Sequence, residues 1–431
     1  MTPQSKTFAP SRRGVLAAAG AFGLSLQFVA TQSFAAAESG LEKKKFVFVI
    51  CRGGMDGLTT APPVGDPDYA GLRGPIALRD EALKLDGTFA LNPALSATYA
   101  LAKAGEARIV PAVATPDRAR SHFEAQDVLE SGANQVYGAS SGWLNRTVES
   151  LGRVRKVSAL SVGPTAPLVL RGKAPYASWS PGKIVDGSAR LPTLLQDLYK
   201  TDPLLGPALA RGLATEAMAQ EAMTNVAQMS PAQAAVTPAA TQPPQTAMQM
   251  AAPGAPGQRQ GQDAARKLGL SLAGFMREAN GPQIAAVSLD GFDTHANEGG
   301  AQGQLATRLA YLDAVLDGLH TGLGPEWKNT VVVVATEFGR TARVNGTGGT
   351  DHGTASTALL LGGALKPGGI VGDWPGLKQS ALFENRDLAP TLDMRGLFKG
   401  LLHEHMGVER AALDAAVFPD SAAAKPVLGL V

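Results

Sequence analysis

Short, unbroken apolar runs, each ending in glycine and charged residues, recur along the chain. Residues 331–334 are four consecutive valines. Such a run suits a central strand of a parallel sheet, where helices cover both faces and no polar alternation remains. Residues 46–51 (FVFVIC) and 284–289 (IAAVSL) read the same way, and residues 107–113 (ARIVPAV) form a further short buried strand. Two more β-like pieces lie at 159–162 and 168–170. Helical patterning covers 95–103, 121–131, a segment opening at Trp143, 191–212, 263–279 and the amphipathic stretch 301–318. Strands alternating with helices predict an α/β fold with a largely parallel sheet.

Two stretches fall outside that pattern. Residues 228–262 are dominated by Ala, Gln, Pro, Met and Thr with almost no charge; such a segment buries too little apolar surface to order itself and predicts a disordered insertion within a single domain spanning 38–431. Residues 1–37 read as a removed twin-arginine leader. Arg12 and Arg13 precede a short apolar segment, and Ala35 to Ala37 offer a cleavage site. The expected partner is the twin-arginine export machinery, and the expected location is periplasmic or secreted, with no stable membrane span after cleavage. Lys plus Arg number 39 against 37 Asp plus Glu, so charge gives no case for nucleic acid. The single cysteine, Cys51, excludes internal disulfides and sits in an apolar run as a core thiol.

Candidate chemistry gathers where the apolar runs end, the edge of an open α/β sheet at which ligands bind. After the valines come Glu337 and Arg340; after residues 46–51 comes RGGMDG with Asp56. Asp293 and His295 follow residues 284–289, and residues two apart in an extended segment point to one side. A glycine-rich loop, 345–349, delivers Asp351 and His352 together. Oxygen ligands beside imidazoles suit a divalent metal. Arg118 and Arg120 precede Ser121, which with Glu124 reads as a capping box opening a helix. A helix start behind two arginines is also an anion site. Each motif has a plainer reading: a turn at Asp56, a helix cap at Ser121, a polar turn at 293–298, a solvated ion pair at Glu337 and Arg340. Three of the six histidines, His122, His295 and His352, fall in these motifs, whereas His403 and His405 read as surface residues and His320 as a helix-end residue.

The order of these motifs resembles the alkaline phosphatase/sulfatase superfamily. Together the leader, RGGMDGL, SHFEAQ, DGFDTHANE, ATEFGRT and GGTDHG look like one uncharacterised family of that superfamily. The resemblance implies a three-layer αβα sandwich, alkaline phosphatase-like, holding one or two divalent ions, zinc-like or calcium/magnesium. By resemblance Asp56, Asp293, His295, Glu337 and His352 are metal ligands, and Ser121 matches the nucleophile loosely by position. On charge, Arg118, Arg120 and Arg340 offset the anionic group, so that Ser121 and Arg340 are the expected catalytic residues and Arg118, Arg120 and His122 the expected contacts to an anionic small-molecule or polymer substrate. Phe338 stands where the family pattern carries a histidine. The expected activity is hydrolysis of phosphate or sulfate esters; the alternative is a catalytically inactive exported binding or assembly protein.

Overall fold

The apolar runs at 46–51, 284–289 and 331–334 lie side by side. The computed structural model describes residues 40–163, 166–180 and 256–431. Leu41–Lys43 is a 3-10 turn, and Lys44–Val431 form one compact unit. In the latter, strands β1 (Lys45–Cys51), β4 (Ala107–Ala114), β5 (Ala159–Val162), β6 (Ala177–Trp179), β7 (Ile284–Leu289), β8 (Thr330–Ala335), β9 (Ser356–Leu361) and β10 (Leu392–Asp393) make one sheet, while β2 (Leu83–Lys84) and β3 (Ala90–Leu91) pair separately. The order is β10-β4-β9-β8-β1-β7-β5-β6. β1 pairs in parallel with β7 (Phe46 with Ile284) and with β8 (Phe46 with Val331). Only β9 runs against its neighbours β4 and β8.

Both faces of the sheet are dry, which is why its central strands show no polar alternation. Val47, Val49, Val332 and Val334 face one core with Leu268, Leu272, Leu309 and Leu312, from helices α4 (Pro256–Arg277) and α5 (Gln304–Leu323). Phe46, Phe48, Val331 and Val333 face the other with Leu129, Trp143 and Phe398, from α2 (His122–Ser131), α3 (Trp143–Gly152) and α6 (Met394–Glu404). Helix α1 (Ser96–Lys103) joins the first core through Leu101. This is a three-layer αβα sandwich with a largely parallel sheet. Among the described residues, no helix is long and apolar enough to cross a membrane.

Several expectations are corrected. Residues 168–170 form a 3-10 turn rather than a strand; Pro167 before them lacks an N–H for a ladder. α4 begins at Pro256, so residues 256–262 of the expected insertion are helical. A proline in the first turn removes only an N–H that would lack a partner anyway. β9 (STALLL) was passed over although residues 358–361 are apolar, and the edge strand β6 is only three residues long. The leader, the helix at 191–212 and the rest of the insertion lie outside the described residues.

His405, expected at the surface, is fully buried, with Nε2 donating to the Lys45 carbonyl at 2.9 Å. Burial pushes its pKa down from 6.5 to about 4. As pH falls below 6.5 the unfolded chain takes up a proton that the folded chain refuses, so stability present above 6.5 is lost on the way to about 4. At roughly 1.4 kcal/mol per pKa unit this amounts to about 3 kcal/mol. Denaturant titrations between pH 7 and 4.5 are expected to show this loss in the wild type and a flatter profile in His405→Gln. Superimposable profiles would refute the assignment.

Candidate metal centre

Because β1, β4, β7 and β8 run in one direction, their carboxyl ends share an edge, and the loops leaving it bring distant residues together. Asp293 Oδ1 lies 3.0 Å from His295 Nε2 and 3.2 Å from His352 Nε2, and its Oδ2 lies 3.3 Å from His122 Nε2. The two Nε2 atoms of His295 and His352 are 3.0 Å apart. His122, Asp293 and His352 each offer a ligand atom within 4.8 Å of the others. Asp293 and His295 are 42% and 46% exposed, so the group is reachable from solvent.

The outward ring nitrogens are held. His122 Nδ1 meets Glu337 Oε1 at 2.9 Å, His352 Nδ1 meets the Arg120 carbonyl at 2.9 Å, and His295 Nδ1 meets Asp351 Oδ1 at 3.4 Å. Carbonyls and carboxylates only accept, so each Nδ1 donates and each Nε2 turns a lone pair inward. The buried Nε2 of His122 has no hydrogen-bond partner. Lone pairs 3.0 Å apart repel unless a cation or proton lies between them. Three imidazoles and a carboxylate arranged in this way fit a zinc-like divalent ion.

The charges around the group follow from these contacts. The hydrogen bond His122 donates to Glu337 raises the pKa of His122, and burial lowers that of His352. Burial alone would raise the Asp293 carboxyl, but the Arg340 guanidinium holds it below its ordinary value. Burial would likewise raise Glu337, and its hydrogen bond with His122 brings it down. Glu337 is fully buried and also accepts from the Gly53 amide at 2.8 Å and Gln126 Nε2 at 3.1 Å. It contacts His122 from behind rather than joining the inward-facing group.

Arg340, 1% exposed, donates to Asp293 and to the carbonyls of Gly53, Gly54, Phe292 and Thr350. One guanidinium thus ties together the loops after β1, β7 and β8. The approach is close enough to need glycine: a Cβ on Gly53 (φ +114°) would meet Asp293 N at 2.5 Å, and one on Gly349 would meet the His295 carbonyl carbon at 2.3 Å. Asn345 and Thr347 also clamp the His295 carbonyl at 2.9 and 2.7 Å. The glycine-rich loop is therefore a bracket for His295 as well as the lead-in to His352.

A family model described as "Protein of unknown function (DUF1501)" matches residues 88–417. The chain belongs to the DUF1501 family. The match spans His122, Asp293, His295, Glu337, Arg340 and His352, and leaves Asp56 before its start. No curated protein matches this DUF1501 chain. Solved structures similar to it include Ps i-CgsB, at 12% identity and a TM-score of 0.34 over 76% of this chain and 68% of that one. A complex of Ps i-CgsB with k-i-k-neocarrahexaose scores 0.34 at 11% identity over 76% and 68%. The C-terminal periplasmic domain of EcEptC from Escherichia coli, in complex with Zn, scores 0.32 at 10% identity over 74% and 72%. At such scores the chain's fold rests on its own topology.

Other sequence-predicted residues of the DUF1501 chain are placed differently. Asp56 is not brought to the group. It caps the short helix Gly57–Thr60, accepting from the Leu58 and Thr59 amides, and is ion-paired with fully buried Arg73. Ser121 is the N-cap of α2 but makes no capping hydrogen bond, so the expected capping box is absent. It sits between Arg120, whose carbonyl holds His352, and His122. The Arg120 guanidinium is taken up by Asp387 at 2.8 Å and Glu384 at 2.6 Å. Exposed Arg118 donates to the Thr115 and Asp117 carbonyls. The Phe338 ring packs 4.9 Å from His122 and 4.7 Å from His352, centroid to centroid.

Two residues that sequence reasoning passed over complete the surroundings. Buried Glu298 accepts from Thr294 at 3.1 Å and from Thr350 Oγ1, residues adjacent to Asp293, His295 and Asp351. Its pKa rises to about 8 through burial and the neighbouring Asp56. Arg73 holds Asp56 ionised despite burial, and also reaches Glu298 at 3.4 Å. A Glu three residues past His295 was the available signal for Glu298; nothing local marked Arg73.

Proposed function

We propose that this DUF1501 protein is an exported, metal-dependent hydrolase of phosphate or sulfate esters, of the alkaline phosphatase/sulfatase type. The observation that supports the reading is the convergence of three inward Nε2 atoms on the Asp293 carboxylate. His122, Asp293, His295 and His352 hold one ion, and the nitrogen-rich set favours a zinc-like metal over calcium or magnesium, which prefer oxygen. The ion supplies a Lewis acid for the ester oxygen and lowers the pKa of bound water. Glu337, the Arg120 carbonyl and Asp351 orient the imidazoles. Arg340 fixes Asp293 and offsets its charge. Ser121, at the start of α2, offers a hydroxyl and, with the helix amides, faces the anionic group, while Arg118, an exposed residue whose guanidinium donates to the Thr115 and Asp117 carbonyls, adds positive charge nearby in sequence. Glu337 supports the site from behind His122, while Asp56 stands apart in its pair with Arg73. Arg12 and Arg13 direct the chain to the twin-arginine machinery, and the substrate is an anionic small molecule or polymer.

Phe338 favours a second reading, an inactive member acting as an exported binding protein, because a phenyl ring fills the place of an expected ligand. Turnover of p-nitrophenyl phosphate and p-nitrophenyl sulfate separates the two. Chelation is expected to lower hydrolysis of one of these esters at least about a hundredfold, and added Zn²⁺ or Mn²⁺ to restore it. Metal-loaded protein that cleaves neither ester would overturn the hydrolase reading in favour of the second.

A further inference from the structure

Beside the metal centre lies a cavity of about 520 Å³ that the reading above does not use. It falls within the roughly 300–1,000 Å³ common for small-molecule sites. Its wall connects directly to the centre. Arg52 donates to Gln126 Oε1 at 2.7 Å, Gln126 donates to Glu337, and Glu337 holds His122. The second arm of Arg52 is fixed by Glu130 at 2.6 Å.

Four large apolar side chains are exposed among the described residues, and two of them, Phe123 at 85% and Tyr137 at 80%, border this cavity. Phe123 directly follows His122. Tyr137 holds a left-handed backbone (φ +57°), with its N–H bound by Asp127 Oδ1 at 2.7 Å. A non-glycine residue in that region is strained and persists only where its surroundings impose it. The turn that Asp127 holds leaves the Tyr137 ring in the open.

Exposed rings over a cavity with carboxylate, amide and guanidinium groups suit a ligand with one apolar face and a rim of hydroxyls. Asp127, Glu130 and Asp290 in the lining disfavour a ligand carrying several phosphates. The polar wall disfavours an acyl chain.

We propose that this cavity is a saccharide subsite, in which a pyranose ring stacks on Phe123 and Tyr137 while Asp290 and Arg171 meet its hydroxyls. Sugar binding there requires only the cavity and its two rings. Its extension, that the substrate is a sugar ester with its phosphate or sulfate at the metal centre, rests on the hydrolase reading.

Saturation-transfer NMR on the full chain tests the proposal, with methyl glucopyranoside, methyl galactopyranoside, glucose 6-phosphate and N-acetylglucosamine 6-sulfate as probes and glycerol 2-phosphate as the ring-free control. Ring protons of at least one sugar are expected to receive saturation, and Phe123→Ala/Tyr137→Ala to weaken its binding at least about tenfold. Both side chains are exposed, so circular dichroism is expected to show an intact fold. Equal binding by the double variant, or no sugar binding by the wild type, would overturn the proposal. Sugar binding without turnover of any ester would support the subsite while removing the hydrolase reading.

Discussion

Replacing His295 by alanine is expected to strip the protein of its ion and leave its fold standing. The side chain is 46% exposed and fills no core volume, so its removal opens no cavity. Its Nε2 lies 3.0 Å from both Asp293 Oδ1 and His352 Nε2, so the remaining ligands lose a member of the inner group. Losing even an outer partner of a metal ligand costs roughly 10–100-fold in affinity, and an inner ligand is expected to exceed the upper figure. Equilibrium dialysis against Zn²⁺ with elemental analysis measures the affinity, and thermal melts in chelator compare the two metal-free folds. Wild-type stoichiometry in the variant would place the ion elsewhere. Asp293→Ala is a poorer probe, because it also leaves buried Arg340 without its carboxylate.

Arg73→Ala is expected to produce the largest loss of stability. The guanidinium is fully buried against Asp56 and Glu298, themselves 1% and 0% exposed. Removing one partner of a buried ion pair costs about 3–5 kcal/mol, because the other charge is stranded. Urea denaturation with and without the substitution measures it; a loss below about 1 kcal/mol would mean that Arg73 is not what makes the burial of the Asp56 carboxylate tolerable. Glu298→Gln separates the two carboxyls. Since the folded pKa of Glu298 is raised from 4.5 to about 8, the unfolded chain releases a proton in that window that the folded chain retains. The contribution of Glu298 is full below 4.5 and falls as pH rises toward 8. Glutamine, already neutral, is expected to remove that slope. This trend is opposite in sign to that of His405, so each needs its own variant.

The sheet was legible where burial is two-sided. Residues 46–51, 284–289 and 331–334 carry enough consecutive apolar side chains to announce central strands, and their carboxyl ends pointed to the functional edge. β9 was overlooked although residues 358–361 are apolar, because it opens on Ser356 and Thr357, polar residues whose burial is created by neighbours rather than by local pattern. Asp293, His295 and His352 could be suspected from glycine-rich loops beside carboxylates. What a one-dimensional reading lacks is the identity of the partner behind each group. Asp56 follows two glycines just as a ligand might, but Arg73 draws it into a buried pair. Glu337 sits at a strand end like a ligand, yet its oxygen meets Nδ1 of His122. His405 lies one residue past α6, where a surface position would be ordinary, and the partner it meets, the Lys45 carbonyl, comes from the far side of the sequence.

Arg340 has a further consequence for how this protein can diverge. Its guanidinium is bonded to Gly53, Gly54, Phe292, Asp293 and Thr350 at once, so a shift in any one ligand loop disturbs the others. Mutational tolerance should then be divided: the loops after β1, β7 and β8 change together or hardly at all, while the segment between α2 and α3, which carries Tyr137, is free of that constraint. New substrate preferences, in natural relatives or in directed evolution, are expected to enter through that segment, with the ion-holding group inherited as a block.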